Sequence, residues 1–432
     1  MGALTRLALL TVLGGLAVYC ASCSRPTKLI LEHMSSPVPI GSVVPQLGAG
    51  ADGSVVLSWL EPRPDKGYRF RAVSGKDFRW GTPFTIDDSQ EITMFSANLP
   101  GVAELPGGGG ILAYWERADR RAADDPYATS IHLARSVDNG RSWIPLPSPY
   151  KDDKSGTHSF LSAFSAGSEL GLVWLDAQNQ RHIHKSAANG AAPSDEYLGA
   201  VGLRAATFGS DGAQIGDTFI DPITCECCPT SAAVSAKGPV VVYRNRIAPS
   251  GARPQDIRYE TATVRDIYLT RLENGHWTDP QRVYADNWVI NGCPDNGPAV
   301  DASGNDVAVS WWTAAGDQPH VSVAFSKDSG GTFGRPMRIS VKPAEGQVTV
   351  ALVDHGRAAI VGWLEEHQTW ARWADSAGAV GPAIALGPAP NHARLPRWIG
   401  EESGALAVWN DLMGGVRAVR VGRLRRQLDL IR

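Results

Sequence analysis

A short strand pattern recurs along the whole chain. Each copy is a run of mostly apolar residues that ends in an aromatic residue, and in most copies an acidic residue or an arginine follows within two positions. Most copies follow a Gly-rich turn and precede a second strand-like run. The aromatic positions are Trp59, Trp115, Trp174, Tyr243, Trp311, Trp363 and Trp409. Strand groups that recur about every 40–50 residues, with loop insertions, are typical of β-propeller blades.

The number of copies predicts the fold. Seven copies predict an all-β, seven-bladed propeller, with six blades as the alternative. The last unit ends after its third strand, at residues 416–421, whereas the strand-like residues 28–31 belong to no unit. We therefore predict that this N-terminal strand completes the last blade, because such closure removes the exposed sheet edges.

Composition agrees with a turn-rich β protein. The 432 residues are too many for one ordinary core unless the fold is a repeat or a barrel. The 46 Gly and 29 Pro favour turns, and the 14 Trp favour strands. A net charge of −3 gives no indication of nucleic-acid binding.

The first 23 residues have the pattern of an export signal. Arg6 precedes an apolar run at residues 7–18 that is too short for a membrane span, and small residues follow it. Ser22 and Cys23 resemble a bacterial lipoprotein cleavage site, with plain secretion as the alternative because Cys20 fits that site imperfectly. We predict a signal peptide at residues 1–23, a lipid on Cys23, and one propeller domain at residues 24–432. The predicted location is the periplasm or outer cell envelope, with contact to the membrane only through the lipid.

Two turns share a more specific pattern, Ser-x-Asp-x-Gly-x-Ser/Thr-aromatic, known as the Asp box. The carboxylate can accept N–H bonds of the turn, the glycine permits a positive φ, and the aromatic ring can pack between blades. Bracing a turn between the third and fourth strands is therefore the predicted role. The residues concerned are Asp138, Gly140 and Trp143 in the first turn and Asp328, Gly330 and Phe333 in the second.

With these turns the chain resembles the BNR/Asp-box proteins of the sialidase superfamily. It is most similar to a branch of secreted bacterial sialidase-like proteins with the motifs Cys-x-Cys-Cys-x-Thr, Val-Tyr-Arg-x-Arg, Arg-Asp-Ile-Tyr and Gly-Cys-Pro-x-Asn-Gly-Pro. Here the motifs occupy residues 225–230, 242–246, 265–268 and 292–298. Sialidases proper have six blades and an N-terminal Arg-Ile-Pro motif, which this sequence lacks near its N-terminus. The resemblance therefore implies the fold more directly than the reaction.

The cysteines of two motifs should meet. Cys225, Cys227 and Cys228 precede the first strand of one repeat, and Cys293 precedes the first strand of the next. Equivalent positions of neighbouring repeats are close in space. In an exported protein the four cysteines favour disulfides, with three pairings to choose from. The alternative is a thiolate site for copper(I) or zinc, extended by Met94 or His158.

Arginines and carboxylates gather on the same predicted face. Sialidases bind a substrate carboxylate with an arginine cluster, and a guanidinium fork matches a carboxylate bidentately. The candidate substrate-binding residues are Arg244, Arg246, Arg265, Arg397 and His158. The alternative is that Asp266 pairs with Arg244 or Arg246 and only ties adjacent strands.

The candidate catalytic residues also come from the resemblance. Sialidases use a tyrosine with a neighbouring glutamate as nucleophile. The candidates are Glu260 with Tyr268, or with Tyr243 or Tyr259, and Asp266 or Asp295 is the candidate acid. A retaining glycosidase holds its two groups about 5–5.5 Å apart. No motif in the sequence fixes this geometry.

Two classes of function follow. One is a sialidase-like propeller that binds or hydrolyses an acidic glycan, with exo-α-sialidase-like glycoside hydrolysis as its reaction and no required cofactor. The other is a non-catalytic propeller that binds a cell-envelope component or handles a metal through the cysteine cluster. In both, the predicted protein is an exported monomer.

Overall fold

The three-dimensional structure is a computed structural model of the chain. It describes residues 27–49, 54–76, 79–89, 92, 100–119, 121, 125, 127–150, 156–185, 194–247, 253–258, 261–390 and 396–427. Four predictions lie outside the described residues: the signal peptide with Cys23, the candidate ligand Met94, and the candidate catalytic residues Tyr259 and Glu260. Among the described residues, no helix has both the length and the apolar character needed to cross a membrane.

Seven antiparallel sheets form the blades, and each consists mainly of consecutive strands. The N-terminal strand is β1 (Leu29–Met34). Blade 1 contains β2 (Val43–Ala49), β3 (Val55–Pro62), β4 (Tyr68–Lys76), β5 (Arg79–Trp80) and β6 (Phe84–Asp87). Blade 2 contains β7 (Gly101–Leu105), β8 (Gly110–Ala118), β9 (Thr129–Ser136) and β10 (Ile144–Leu146). Blade 3 contains β11 (His158–Ala166), β12 (Glu169–Asp176), β15 (Val201–Phe208) and β16 (Gln214–Thr224), with an inserted hairpin of β13 (Arg181–Lys185) and β14 (Ser194–Leu198).

The remaining blades follow the same plan. Blade 4 contains β17 (Ser231–Ser235), β18 (Gly238–Arg244), β20 (Ile267–Glu273), β21 (His276–Trp277) and β22 (Gln281–Arg282), and β19 (Thr263–Val264) pairs with β23 (Val289–Ile290) outside it. Blade 5 contains β24 (Ala299–Ser303), β25 (Asp306–Thr313), β26 (His320–Ser326) and β27 (Met337–Arg338). Blade 6 contains β28 (Ala344–Val353), β29 (Ala358–Glu365), β30 (Gln368–Asp375) and β31 (Ile384–Pro388). Blade 7 contains β32 (Arg397–Glu401), β33 (Gly404–Met413) and β34 (Val416–Arg426), together with β1. Short 3₁₀ helices occupy Pro106–Gly108, Pro254–Asp256 and Ala315–Asp317.

The ring closes through the N-terminal strand, as predicted. Strand β1 pairs antiparallel with β34, with Leu29 opposite Arg426 and Met34 opposite Val421. Leu29 is buried in the core shared by blades 6 and 7. The first strands of most neighbouring blades contact each other around the axis, and β2 contacts β32, so the first and last blades are neighbours. The prediction of seven blades is confirmed, and the alternative of six is wrong.

The recurrent aromatic residues lie between blades. Trp59, Trp174, Trp311, Trp363 and Trp409 are all fully or almost fully buried. In two blades the acidic residue two positions later accepts the indole N–H. These bonds are Trp174 Nε1 to Asp176 Oδ2 at 3.1 Å and Trp363 Nε1 to Glu365 Oε2 at 3.0 Å. In these two blades the acidic residue satisfies a buried indole, whereas the indole N–H groups of Trp59 and Trp409 have no hydrogen-bond partner among the described residues, although Glu61 and Asp411 have the same spacing.

Both Asp boxes have the same hydrogen bonds. In the second box Asp328 Oδ1 accepts the Ser326 hydroxyl at 2.7 Å and the Thr332 N–H at 2.8 Å, and Oδ2 accepts the Thr332 hydroxyl at 2.9 Å. Asp138 accepts the equivalent groups in the first box. The glycines have φ of 84° at Gly140 and 80° at Gly330. Trp143 packs against the core of blades 1 and 2, and Phe333 against that of blades 4 and 5. These bonds lower the pKa of both carboxyls to about 2.

The propeller has two different faces. We call the side on which chain segments enter the first strands the loop face, and the side with the turns between first and second strands the turn face. An axial cavity of about 2040 Å³ is lined by the inner strands and by turns such as Pro106–Gly108 and His355–Gly356. The cavity therefore lies toward the turn face. Its lining carboxylates are Glu104, Glu169, Asp301, Glu401 and Glu402.

Candidate functional site

The two cysteine motifs meet on the loop face, where blades 4 and 5 begin. Cys227 and Cys293 form a disulfide across the two loops, whereas Cys225 and Cys228 are free thiols and buried. The loops approach so closely that a Cβ on Gly297 would lie 2.0 Å from the carbonyl oxygen of Pro229. Only glycine fits at this contact, which is the physical reason for Gly297 in the motif Gly-Cys-Pro-x-Asn-Gly-Pro.

The two free thiols touch each other beside a buried cation. Cys225 Sγ lies 3.2 Å from Cys228 Sγ and 3.9 Å from Cys227 Sγ. Arg265 donates from Nη1 to Cys225 Sγ at 2.9 Å. In the described part of the chain, Cys225, Cys227 and Cys228 are the one group of three or more metal-ligating side chains whose ligand atoms all lie within 4.8 Å of one another.

The two thiols differ in acidity. Burial raises the pKa of Cys225, but the hydrogen bond from Cys228 and the charges of Arg265 and Arg244 outweigh burial and lower this pKa to about 7. Burial and the neighbouring Cys225 sulfur raise the pKa of Cys228 well above its usual value. Cys225 therefore ionises before Cys228, which holds its proton beside the Cys225 sulfur.

A buried ion network supports Cys225. Glu226 accepts from Arg246 Nη1 at 3.1 Å and from Arg265 Nη1 at 3.4 Å. Arg265 also donates from Nε to the Thr263 hydroxyl at 2.9 Å, and among the described residues its buried Nη2 has no hydrogen-bond partner. Glu226 partly balances the two arginines, so the site can hold one further negative charge, such as a thiolate.

Arg244 lies in the same region, but its donors are directed at the backbone. It donates to the carbonyl oxygens of Asn296, Arg265 and Trp312 at 3.0, 2.6 and 2.7 Å, and its guanidinium lies over the ring of Trp288. This geometry ties blade 4 to blade 5 and favours a structural role.

The candidate acid Asp266 is also bound to the backbone. It accepts the N–H groups of Asn287 and Trp288 at 3.2 and 3.3 Å and pairs with Arg282 at 3.3 Å. Burial raises its pKa, and these N–H groups offset part of the effect. Arg282 also donates to the hydroxyl of Tyr268 at 3.4 Å, so this arginine bridges the two candidate catalytic residues.

Three other candidates make contacts of a different kind. Asp295 has a positive φ of 47° and accepts from Gln347 through its carbonyl. Arg397 donates to Gln46 in blade 1 at 2.7 Å, and burial lowers its pKa to about 10. His158 is buried in blade 3, stacks on the Tyr150 ring and faces the Asp176 carboxylate at 3.7 Å. None of these contacts joins Arg397 or His158 to the cysteine network.

Several residues of interest were not identified from the sequence. Glu226 is only the variable position in the pattern Cys-x-Cys-Cys, although its carboxylate pairs with Arg246 and Arg265. The same four residues also contain Cys225-x-x-Cys228, a spacing that brings two thiols together and was the available signal. The carboxylates of the axial cavity gave no motif. Among them, Asp301 accepts the Leu352 and Ala302 N–H groups, and burial raises its pKa to about 6.

Comparisons with solved structures find remote similarities. No family model matches the chain, and no curated protein matches it. A protein of unknown function from Dyadobacter fermentans aligns at 12% identity and a TM-score of 0.44, over 93% of this chain and 99% of that chain. An α-L-arabinofuranosidase from Fusarium graminearum aligns at 13% and 0.46, over 93% and 97%. A mutant NanB sialidase from Streptococcus pneumoniae aligns at 9% and 0.41, over 93% and 70%. At such low identities and TM-scores these similarities carry no argument about activity.

Proposed function

We propose that Cys225 and Cys228 form a redox-active dithiol and that the protein is an exported propeller with thiol–disulfide activity. The observation that supports this proposal is the 3.2 Å contact between the two sulfurs, in a Cys-x-x-Cys segment beside the Arg265 guanidinium. Oxidation joins the two sulfurs and releases two protons, and the two electrons reduce an external disulfide to two thiols. The external disulfide is the co-reactant.

The two cysteines have different roles in this reaction. Cys225 is the nucleophile, because the adjacent cation stabilises its thiolate. Cys228 keeps its proton until Cys225 has formed a mixed disulfide, and then displaces the other sulfur from Cys225. The fold contributes by holding both sulfurs in contact, so little chain ordering is needed for the bond to form.

Redox titration tests the proposal. The purified protein is equilibrated in buffers of reduced and oxidised glutathione, quenched with acid, alkylated, and mapped by peptide mass spectrometry. We expect the Cys225–Cys228 disulfide to rise and fall reversibly with the glutathione ratio. In Cys228→Ser we expect no such disulfide, and Cys225 should instead be recovered in a mixed disulfide with another sulfur.

Two outcomes would contradict the proposal. One is a folded protein whose Cys225 and Cys228 stay alkylatable at every glutathione ratio. The other is stoichiometric copper or zinc that protects both thiols from alkylation, which would support metal handling through the same cluster. A thermal unfolding scan of each variant shows that the fold is retained.

A second candidate function is binding or hydrolysis of an acidic glycan on the loop face. The observation that favours it is the buried Arg265 Nη2, which has no hydrogen-bond partner in the described part of the chain and lies next to Arg246 in an arginine cluster. A carboxylate could take that donor. Turnover of a fluorogenic sialoside that is lost in Arg265→Gln, but kept in the exposed Arg253→Gln, would support this function. No turnover, with unchanged thermal stability on adding acidic sugars, would contradict it.

The predicted export and the lipid on Cys23 remain part of the proposal. An oxidising compartment would supply the disulfide co-reactant that the dithiol needs. A lipid anchor would hold the propeller at the envelope, where a cell-envelope component is the expected partner.

A further inference from the structure

We propose that the buried dithiol exchanges with the Cys227–Cys293 disulfide, so that the four cysteines form a relay between an external thiol or disulfide and the interior. This inference rests on the proposed redox activity of Cys225 and Cys228, and it adds the route by which their electrons enter and leave. The relay gives Cys293 and its motif, residues 292–298, a chemical role in addition to joining blades 4 and 5.

The four cysteine residues differ in how exposed they are to solvent. Cys293 is exposed, Cys227 is partly buried, and Cys225 and Cys228 are each 1% exposed. An external thiol can therefore reach Cys293, whereas the chain covers the inner pair. We call Cys227 and Cys293 the outer pair and Cys225 and Cys228 the inner pair.

The distances connect the two pairs through one atom. Cys225 Sγ lies 3.2 Å from its inner partner Cys228 Sγ and 3.9 Å from the outer sulfur Cys227 Sγ. Thiol–disulfide exchange needs a thiolate in contact with a disulfide sulfur. Cys225 is placed for that contact on one side and for reaction with Cys228 on the other.

The first step transfers the disulfide inward. The Cys225 thiolate attacks Cys227 Sγ, the Cys225–Cys227 bond forms, and the Cys227–Cys293 bond breaks. Cys293 leaves as a thiolate, so the charge is conserved and no electrons are gained or lost. The leaving sulfur is the exposed one, and water can solvate and protonate it.

The second step completes the relay. Cys228 attacks Cys225 Sγ, the Cys225–Cys228 bond forms, and Cys227 leaves and takes the proton that Cys228 carried. The net change converts an outer disulfide and an inner dithiol into an inner disulfide and an outer dithiol. An external disulfide then reoxidises the outer pair, with Cys293 as the sulfur that it meets first.

The charged groups around the inner pair favour this direction of attack. Arg265 and Glu226 contact the inner end of the cluster, and Arg265 donates to Cys225 but to no other sulfur among the described contacts. The thiolate is thereby held on Cys225, the sulfur that lies between both pairs. Cys293, exposed to solvent, needs no such support to leave.

A kinetic comparison tests the relay. The fully reduced protein and the double variant Cys227→Ser/Cys293→Ser are oxidised with oxidised glutathione, quenched with acid at timed intervals, and mapped for the Cys225–Cys228 disulfide. We expect inner-pair oxidation to be at least about tenfold slower in the double variant, because the buried thiols have lost their exposed intermediary. Equal rates in both proteins would overturn the relay and leave the redox function standing. No inner disulfide in either protein would overturn the redox function itself.

A trapping variant supplies the second test. Cys228→Ser removes the second step, so the Cys225–Cys227 disulfide should accumulate with Cys293 free for alkylation. Finding only the Cys227–Cys293 disulfide in this variant, with a normal unfolding temperature, would contradict the first step. The oxidant is oxidised glutathione in one arm and the oxidised form of a protein dithiol oxidoreductase in a parallel arm. The faster of the two oxidations shows whether a small disulfide or a protein disulfide is the better partner.

Discussion

The Arg265 guanidinium contributes directly to the chemistry of the cysteine site. Arg265 is fully buried, donates to a thiol sulfur, and shares Glu226 with Arg246. A buried cation is costly unless it has a negative partner, and Glu226 balances only one of the two arginines. A thiolate on Cys225 supplies the second negative charge. Arg265 therefore lowers the pKa of Cys225, and the thiolate in turn stabilises the buried Arg265 cation.

Replacing Arg265 should make Cys225 less acidic. Removing an opposite charge in contact with a thiolate should raise the pKa of Cys225 by about 1–3 in Arg265→Gln. Less thiolate would then be present at neutral pH. The measurement is the pH profile of iodoacetamide alkylation of Cys225, read by peptide mass spectrometry. Arg265→Lys should restore much of the wild-type profile, and Arg253→Gln, an exposed pair with Asp256, should leave it unchanged. A profile that does not move in Arg265→Gln would contradict this role.

At the scale of elements, short turns hold the blades in register. The Asp boxes close the hairpins between third and fourth strands in blades 2 and 5, and Asp328 takes three hydrogen bonds from its own turn. A carboxylate that accepts such bonds has a lowered pKa, and the folded state is then stabilised only while the carboxylate is ionised.

The second Asp box should therefore contribute a pH-dependent part of the stability. The pKa of the Asp328 carboxyl falls from 3.8 to about 2 on folding. The contribution should be complete above pH 3.8 and disappear as the pH falls through about 2. Asp328→Asn should lower the urea midpoint at pH 7 and approach the wild type at low pH. Asp279→Asn, at an exposed position, is the matched control. An equal difference between Asp328→Asn and wild type at both pH values would contradict this assignment.

At the scale of the whole molecule, stability depends on closing the ring. Strand β1 is the fourth strand of blade 7, and it joins the N-terminal to the C-terminal end of the described chain. An open ring would leave the edge of β34 unpaired and expose the core between blades 6 and 7.

Leu29 gives a direct test of ring closure. Leu29→Ala should lower the free energy of unfolding by about 2–5 kcal/mol, because the side chain is buried in the shared core. The neighbouring Ile30 is 45% exposed, so Ile30→Ala on the same strand should have a much smaller effect. Urea unfolding followed by tryptophan fluorescence measures both variants. Similar losses for the two would indicate that β1 contributes only through its backbone pairing.

The sequence by itself determined the repeat, the blade count and the closing strand. These features follow from local sequence patterns: strand-like apolar runs, turn glycines and an aromatic residue at equivalent positions. The sequence also placed the two cysteine loops side by side, because neighbouring repeats have equivalent geometry. Only the tertiary structure decided which sulfurs pair, since Cys227 and Cys293 are 66 residues apart and all three pairings fit the spacing. The tertiary structure also decided that Arg244 donates to backbone carbonyls and that the cavity lies toward the turn face. Neither could be predicted from the sequence, because the distances between loops and the burial of side chains are set only when the blades pack.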